Sequence, residues 1–547
     1  MKPIHAIFCM LAIFLSFQPV AFAQKLEKKF DQMLNKKYPE NGPGATALVA
    51  KNGRITYHKA FGMASMELDV TMQKDMVFEI GSITKQFTAV AILMLMERGK
   101  LNLDDSITKF LEDYPTHGHN LTIHHLLTHT SGIKSYTSME KWAKEWRTDY
   151  TPKELIDFFK NQPMDFAPGE EYEYNNSAYF ILGYIIEKAS GISYESFIEE
   201  NIFKPLKMSN SYYGSQSKII KKRAQGYQRR DGYVNAEYLS LTQPYAAGSL
   251  MSTVEDLFLW NRAIRANTLV SKESLALAFT NYKLNNEKKI NYGYGWVLSD
   301  INGSPTIEHG GGIFGFATNS IYLPDEDIFV AVFSNCDCNP PGTVSTRIAA
   351  LALNKPYPDP SDYIPVKNEI LDTWVGVYDF EDGATRVVTR EENQLYSQRT
   401  GGTRYKIFPM EKNTFAFENS FATLRFKAKD NQIHAYFASR TEKTDGLKTD
   451  RPIPKKKVTL VDLSILESYV GVYSLAPNFD ITITLEQDKL MSQATGQEKF
   501  QVYPESKTRF FYKVVDAQIE FAEKEDGVVK SFTLFQNGQQ IIANRKD

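Results

Sequence analysis

The segment LDTWVGVY, beginning at Leu371, returns as LESYVGVY at Leu466, ninety-five residues further on. The same offset carries LYSQRTG at Leu395 onto LMSQATG at Leu490, and Pro409 onto Pro504. A register kept this long marks two copies of one structural unit and confines the C-terminal part of the chain to a pair of like modules. Both copies alternate apolar and polar residues in short runs, as in FDITITLEQDKLMSQA and RFFYKVVDAQIEFAEKE. That is the period of a half-buried strand, so each copy is expected to be a small antiparallel β-module, a sandwich or a barrel. Neither copy gathers His, Asp or Cys into a catalytic cluster. Binding a partner, a glycan or a second copy of the chain, or covering an active-site mouth, are the roles left open to them.

The whole chain has 547 residues, too many for one compact core. The proline-rich stretch NKPYPDPSDYIP (Asn354–Pro365) and the basic TDRPIPKKK (Thr449–Lys457) read as linkers. The expected division is a leader at 1–23, a large domain at 24–355, a linker at 356–366, and modules at 367–452 and 458–547. The leader expectation rests on Lys2, an apolar run from Ile7 to Phe17, and the small-x-small site Ala21-Phe22-Ala23, with cleavage before Gln24. The run is short for a membrane span, so no stable anchor is expected. The protein is therefore expected to be exported, to the periplasm or beyond.

Net charge is −2, which argues against a nucleic-acid partner. Cys336 and Cys338 remain after the leader, in NCDC. A disulfide across one intervening residue is strained, so the two thiols are expected to be free or redox-labile. Five of the nine histidines fall between His117 and His129. His125 and His129 stand one helical turn apart, but no glutamate lies between them as a zinc protease needs, so no metal is expected. No cofactor motif appears either.

The large domain mixes periods. ATALVAKNGRITYHKAFG reads as a hairpin turning at Asn52-Gly53. Residues 86–98 form a buried helix ended near Gly99, Ser177–Gly191 a second closed by its glycine, and Ile328–Asn335 a strand. Strands at both ends with helices between suit a sheet built from both termini and a helical insert. Within this frame, FEIGSITKQFTAV (Phe78–Val90) places Ser82 three residues before Lys85, ahead of the buried helix. The spacing alone is weak, because Ser-x-x-Lys begins also at Ser106, Ser131, Ser138 and Ser215. At a helix start Ser82 has the positive helix end beneath it, and Lys85 lies one turn on, where burial lowers its pKa. A cap beside a surface lysine fits those residues as well.

Two further stretches bear on the choice. Tyr174-Asn175-Asn176 stands at a loop-to-helix junction after FAPG, and His309-Gly310-Gly311 follows a short strand in IEHGGGIFGF. With Ser82 and Lys85 these resemble the three signature elements, in order, of the serine β-lactamase and penicillin-binding-protein family. LTIHHLLTHTSGI, AAGSLMSTVEDLFLW and YGYGW are similar as well, and the likeness covers most of residues 30–350 and is nearest the class C branch. It implies an α/β (α+β) serine β-lactamase/DD-peptidase-like domain with an antiparallel sheet and helical insert, followed by the two modules. It implies Ser82 as nucleophile, Lys85 and Tyr174 as the base system, and Asn176 bonded to Lys85 and the substrate amide. The oxyanion site would be the N–H groups of Ser82 and Gly312, beside Gly310 and Gly311. The expected partner is a small-molecule or peptide acyl substrate, for instance one from the cell wall. One departure matters: His309 stands where β-lactamases carry lysine, which places demand for a substrate carboxylate in doubt and favours esters, amides or D-amino-acid peptides. Loops 134–165 and 212–245 are expected to line the entrance. A binding protein of the same fold with little turnover is the alternative.

Overall fold

The computed structural model describes residues 24–454, 457–476, 479–525, 528–536 and 539–546. The expected leader at 1–23 lies outside them. The chain forms two units, divided between Tyr357 and Pro358.

The first unit is built on a six-stranded antiparallel sheet. Its strands are β1 (Ala45–Lys51), β2 (Arg54–Phe61), β3 (Val297–Ile301), β4 (Ser304–Ile313), β5 (Phe316–Leu323) and β6 (Ile328–Ser334), in the order β3-β4-β5-β6-β1-β2. The two ends of the domain's chain thus meet at β1 and β6, paired from Ala45↔Ser334 to Lys51↔Ile328. β1 and β2 turn at Asn52 (φ 52°) and Gly53 (φ 71°), the left-handed pair that a two-residue hairpin requires. Successive side chains of β6 feed opposite faces. Val330 and Val332 join Phe30, Leu34 and Ile348 in one core, packed by a helix at 24–37 and the helix Gly342–Ala352. Phe329, Ala331 and Phe333 face the other core.

That second core surrounds α1 (Thr84–Glu97), in which every residue from Thr84 to Leu95 is buried. A helix apolar on all sides belongs in a domain centre, where sheet and insert close around it. α2 (Asn176–Ser190) packs in the same core. Its start is fixed by Asn175, whose side chain accepts the Ala178 N–H, and its end by Gly191 in the left-handed conformation.

The cysteine expectation is corrected. Cys336 and Cys338 form a disulfide, with Cα atoms 5.1 Å apart. The chain turns directly after β6, the Asn339 N–H donating to the Cys336 carbonyl, and so folds the two Cα atoms into bridging range.

The second unit consists of two closed eight-stranded barrels, so the modules are barrels and not sandwiches. In the first, Gly376–Phe380 pairs with Lys443–Thr449 to close the ring. In the second, Gly471–Ala476 pairs with Gln539–Arg545. The duplication is visible atom by atom: the buried Tyr378 hydroxyl donates to the Trp374 carbonyl, and the Tyr473 hydroxyl to the Tyr469 carbonyl. Among the described residues no helix is long and apolar enough to cross a membrane.

Candidate active site

Ser82 sits in a single 3-10 turn, Gly81–Ile83, that runs straight into α1. This turn places Lys85 back over the serine: its Nζ lies 3.1 Å from Ser82 Oγ. The same Nζ lies 2.9 Å from Asn176 Oδ1 and 2.9 Å from the Ala247 carbonyl. The lysine is wholly buried. Among the described residues it has no carboxylate partner, and burial holds its pKa well below the usual lysine value.

The other four Ser-x-x-Lys lysines differ in this respect. Lys109 pairs with Asp105 at 2.7 Å, Lys134 with Asp165 at 2.7 Å, Lys141 with Glu145 at 4.0 Å, and Lys218 with Glu195. Each of those is an ordinary solvated cation; Lys85 is the exception.

Hydrogen-bond accounting then orients the group. Asn176 Nδ2 donates to Thr137 Oγ1, so its Oδ1 is the atom turned to the lysine. A neutral amine has two hydrogens and one lone pair. The Ala247 carbonyl and Asn176 Oδ1 can only accept and take both hydrogens, which leaves the lone pair for the Ser82 hydroxyl.

Tyr174 closes the other side. Its ring lies 4.7 Å from Lys85 Nζ, and its hydroxyl bonds Ser82. Burial pushes the phenol far above its usual value, and the bond to Ser82 opposes this. The tyrosine still leaves 37% of its surface exposed. A phenol held protonated cannot be the resting base, so the neutral amine is the stronger candidate.

His309, on β4, is buried. Its Nδ1 faces the Gly310 carbonyl and must donate there, which leaves Nε2 to accept from the Tyr292 hydroxyl at 3.0 Å. Burial pulls its pKa down to about 4 against the bond to Gly310. The imidazole is neutral at physiological pH. The glycines after it are spaced for close approach. A Cβ on Gly311 would fall 2.0 Å from the Ile80 carbonyl oxygen, and one on Gly81 (φ 52°) 2.9 Å from the Gly312 nitrogen. The Ser82 turn and the β4 backbone can be this near only because both are glycine there. Gly312 itself faces open space.

Sequence reasoning weighed His129 only as a metal ligand and gave it no place at this site. It has φ 59°, is fully buried, and holds Tyr174 from both sides. Its carbonyl accepts the Glu173 N–H at 3.0 Å, and its Nδ1 accepts the Asn175 N–H at 3.0 Å. The ring proton is thereby on Nε2, which has no hydrogen-bond partner and lies among the rings of Tyr174 (4.4 Å), Tyr292 (4.8 Å) and Tyr179 (4.9 Å). Burial holds this imidazole neutral. The neighbouring histidines have protein partners as well: His125 Nδ1 accepts the Thr122 N–H to complete a capping box, and His124 Nδ1 meets the Tyr294 hydroxyl at 2.8 Å. Gly81, Ala247 and Tyr292 were likewise not singled out, although the phrases AAGS and YGYGW contain two of them.

The segments 134–165 and 212–245 meet one another beside this site. The Trp142 indole donates to Gln243 Oε1 at 2.7 Å, and the Trp146 ring stands 5.3 Å from Phe314, directly after β4.

A profile of the Beta-lactamase family matches residues 26–354, and one of a domain of unknown function, DUF3471, matches residues 455–544. Penicillin-binding protein 4* of Bacillus subtilis (strain 168) is 32% identical over 412 residues, 70% of this chain and 89% of that protein. Among solved structures, the octameric penicillin-binding protein homologue from Pyrococcus abyssi is similar with 28% identity and a TM-score of 0.56. That likeness covers 78% of this chain and 99% of the homologue. A D-stereospecific amidohydrolase from Streptomyces sp. is 27% identical with a TM-score of 0.52, covering 59% of this chain and 98% of its own.

Proposed function

Since the chain belongs to the Beta-lactamase family of serine hydrolases, we propose that it is an exported hydrolase acting through an acyl-enzyme on Ser82, with neutral amides or esters of D-amino acids as its substrates. Ser82 Oγ attacks the acyl carbon as its proton passes to the Lys85 lone pair. The N–H groups of Ser82 and Gly312 receive the carbonyl oxygen, whose negative charge grows as the tetrahedral intermediate forms. Tyr174, bonded to Ser82, passes the proton to the leaving amine or alcohol. Water then enters past the exposed part of the tyrosine and releases the acid, with the same groups in reverse roles. Asn176 holds the lysine and meets the substrate amide.

The observation that carries the substrate choice is the neutral His309. A permanent cation at this place attracts a substrate carboxylate; an imidazole whose pKa is pulled to about 4 does not. Its Nε2 is occupied by Tyr292, so no charge is presented to the substrate's leaving side. The similarity to a D-stereospecific amidohydrolase supports the same side of the choice. The apolar run Ile7–Phe17 followed by the small-x-small stretch Ala21-Phe22-Ala23 supports export.

The test compares kcat/KM for D-alanine p-nitroanilide with that for an N-acylated D-alanyl-D-alanine peptide, on the wild type and His309→Lys. The wild type is expected to prefer the neutral amide, and His309→Lys to shift preference toward the carboxylate-bearing peptide. Equal or better cleavage of the peptide by the wild type would favour a carboxypeptidase instead. Acylation by a penicillin without turnover of either substrate would favour a binding protein.

A further inference from the structure

The first barrel carries a charge where its own copy shows that none is needed. Arg386 lies on the strand Thr385–Glu391 and pairs in register with Tyr378. Ile481 pairs in the same way with Tyr473 in the second barrel, ninety-five residues on. Both side chains point inward, Arg386 with 7% of its surface exposed and Ile481 with 4%. The fold is thus satisfied by a purely apolar residue at this position. The first copy instead places a guanidinium there.

That guanidinium lacks partners. Nε has no hydrogen-bond partner, and among the described residues no ion pair reaches the group. It packs against rings: 3.9 Å from the centroid of Phe437 and 5.5 Å from that of Phe380. The acids that act on it do so only through space. They are Asp382, which is paired with Arg399 at 3.0 Å, and Glu442. Burial and the neighbouring Arg399 charge lower its pKa to about 10, which leaves it cationic at every physiological pH. A buried cation without an anion is costly, and cation–π contact offsets only part of that cost.

The same side chain lines a cavity of about 800 Å³ at the barrel mouth. Its walls include Phe417, Phe437, Arg399 and Arg404, with Val515 and Gln536 contributed by the second barrel. The two barrels meet there through backbone bonds, Arg404 N–H to the Val514 carbonyl and Asp516 N–H to the Gly402 carbonyl. Arg399 and Arg404 are already paired, with Asp382 and Glu391. Glu418, the acid in the wall, faces Lys406 at 3.8 Å. Arg386 is therefore the charge in the wall still to be met. A second difference from the copy points the same way. Ser492 bonds the Tyr512 hydroxyl at 2.7 Å, whereas its counterpart Ser397 has Phe417 in place of that tyrosine and a hydroxyl with no partner.

From the cavity, the unmet buried cation and the apolar copy, we propose that the mouth of the first barrel binds an organic carboxylate: the carboxylate pairs with Arg386, and an apolar body lies along Phe417 and Phe437. The guanidinium fork suits a carboxylate in bidentate fashion, and the rings supply contact for a chain or ring behind it. The second barrel has the apolar Ile481 at the equivalent position.

The test is calorimetric titration of the full-length protein with decanoate, with 1-decanol and inorganic phosphate as separate arms. Decanoate is expected to bind saturably at one site, about tenfold or more tighter than either control, because charge and apolar body are both used. Arg386→Met should weaken decanoate by about tenfold or more, while Arg386→Lys, which keeps the charge and loses the fork, weakens it less than Arg386→Met does. Ile481 shows that an apolar residue folds at this position, and melting of Arg386→Met is recorded first. Should that variant fail to fold, Arg386→Gln carries the same comparison. Equal binding of decanoate by wild type and the uncharged variant would overturn the proposal, as would no saturable binding to the wild type at millimolar decanoate. Phosphate binding as tightly as decanoate would overturn the apolar half of it.

Discussion

Among the described residues two lysine or arginine side chains are buried without a carboxylate bonded to them, Lys85 in the first unit and Arg386 in the second, and their surroundings differ in kind. Lys85 has three oxygens within hydrogen-bonding distance, those of Ser82, Asn176 and Ala247. Arg386 has two aromatic rings. A lysine relieves the cost of burial by losing its proton, and so becomes a base; an arginine does not lose its proton, and so remains a charge in want of an anion. On the two proposals made above, the same stress on the fold yields a reagent in one place and a receptor in the other.

Exchanging the two residue types breaks this comparison most severely. Lys85→Arg keeps the cation and removes the lone pair, so kcat should fall by about a thousandfold or more in steady-state assay. A variant retaining a tenth of wild-type kcat would show that a lone pair at this position is dispensable. In the second barrel, Ile481→Arg installs a charge in an apolar core, and should cost roughly 3 kcal/mol. Urea unfolding followed at the second-barrel transition measures this. A midpoint like that of the wild type would mean that these barrels tolerate arginine indifferently, and the contrast with Arg386 would lose its force.

The neutral His309 sharpens the account through pH. Its folded pKa, about 4, lies below the unfolded value of 6.5, so between those values the unfolded chain holds the extra proton. Stability therefore rises with pH across that window and is lost as pH falls from 6.5 toward 4. The contribution is roughly 3 kcal/mol in full. His309→Asn should reduce the rise of melting temperature with pH over this range; a slope unchanged from the wild type would contradict the assignment. His125 is also pulled to about 4 by burial and the His124 charge, and adds to the wild-type slope in both proteins.

The smallest expected effect concerns His129, which positions Tyr174 without touching substrate. His129→Gln should lower kcat by about tenfold with KM nearly unchanged, because the loss is in alignment and not in binding. A change in KM alone would assign His129 to substrate binding instead.

Much of this was legible in the chain. The hairpin at Asn52-Gly53, the glycine-closed helices and the duplication of the modules are local or periodic signals, and local signals survive without coordinates. Which serine is paired was not legible from spacing. That depended on Asp105, Asp165, Glu145 and Glu195 taking the other four lysines, and on Ala247 standing 162 residues from Lys85 in sequence. The His129 clamp escaped for the same reason: its bonds to Glu173 and Asn175 cross more than forty residues. The cysteine expectation failed because strain was judged from spacing alone, whereas the turn after β6 brings the two residues into range. Barrel or sandwich turned on whether the first and last strands pair, and alternation within a strand says nothing of that.

The most direct test of the central claim is intact-protein mass spectrometry during turnover of a D-amino-acid ester or a penicillin, with peptide mapping, on the wild type and Ser82→Ala. The account predicts a covalent adduct of the acyl mass on the wild type, mapped to the peptide containing Ser82, and no adduct on the variant. Undiminished hydrolysis by Ser82→Ala, or an adduct mapped to another residue, would contradict it.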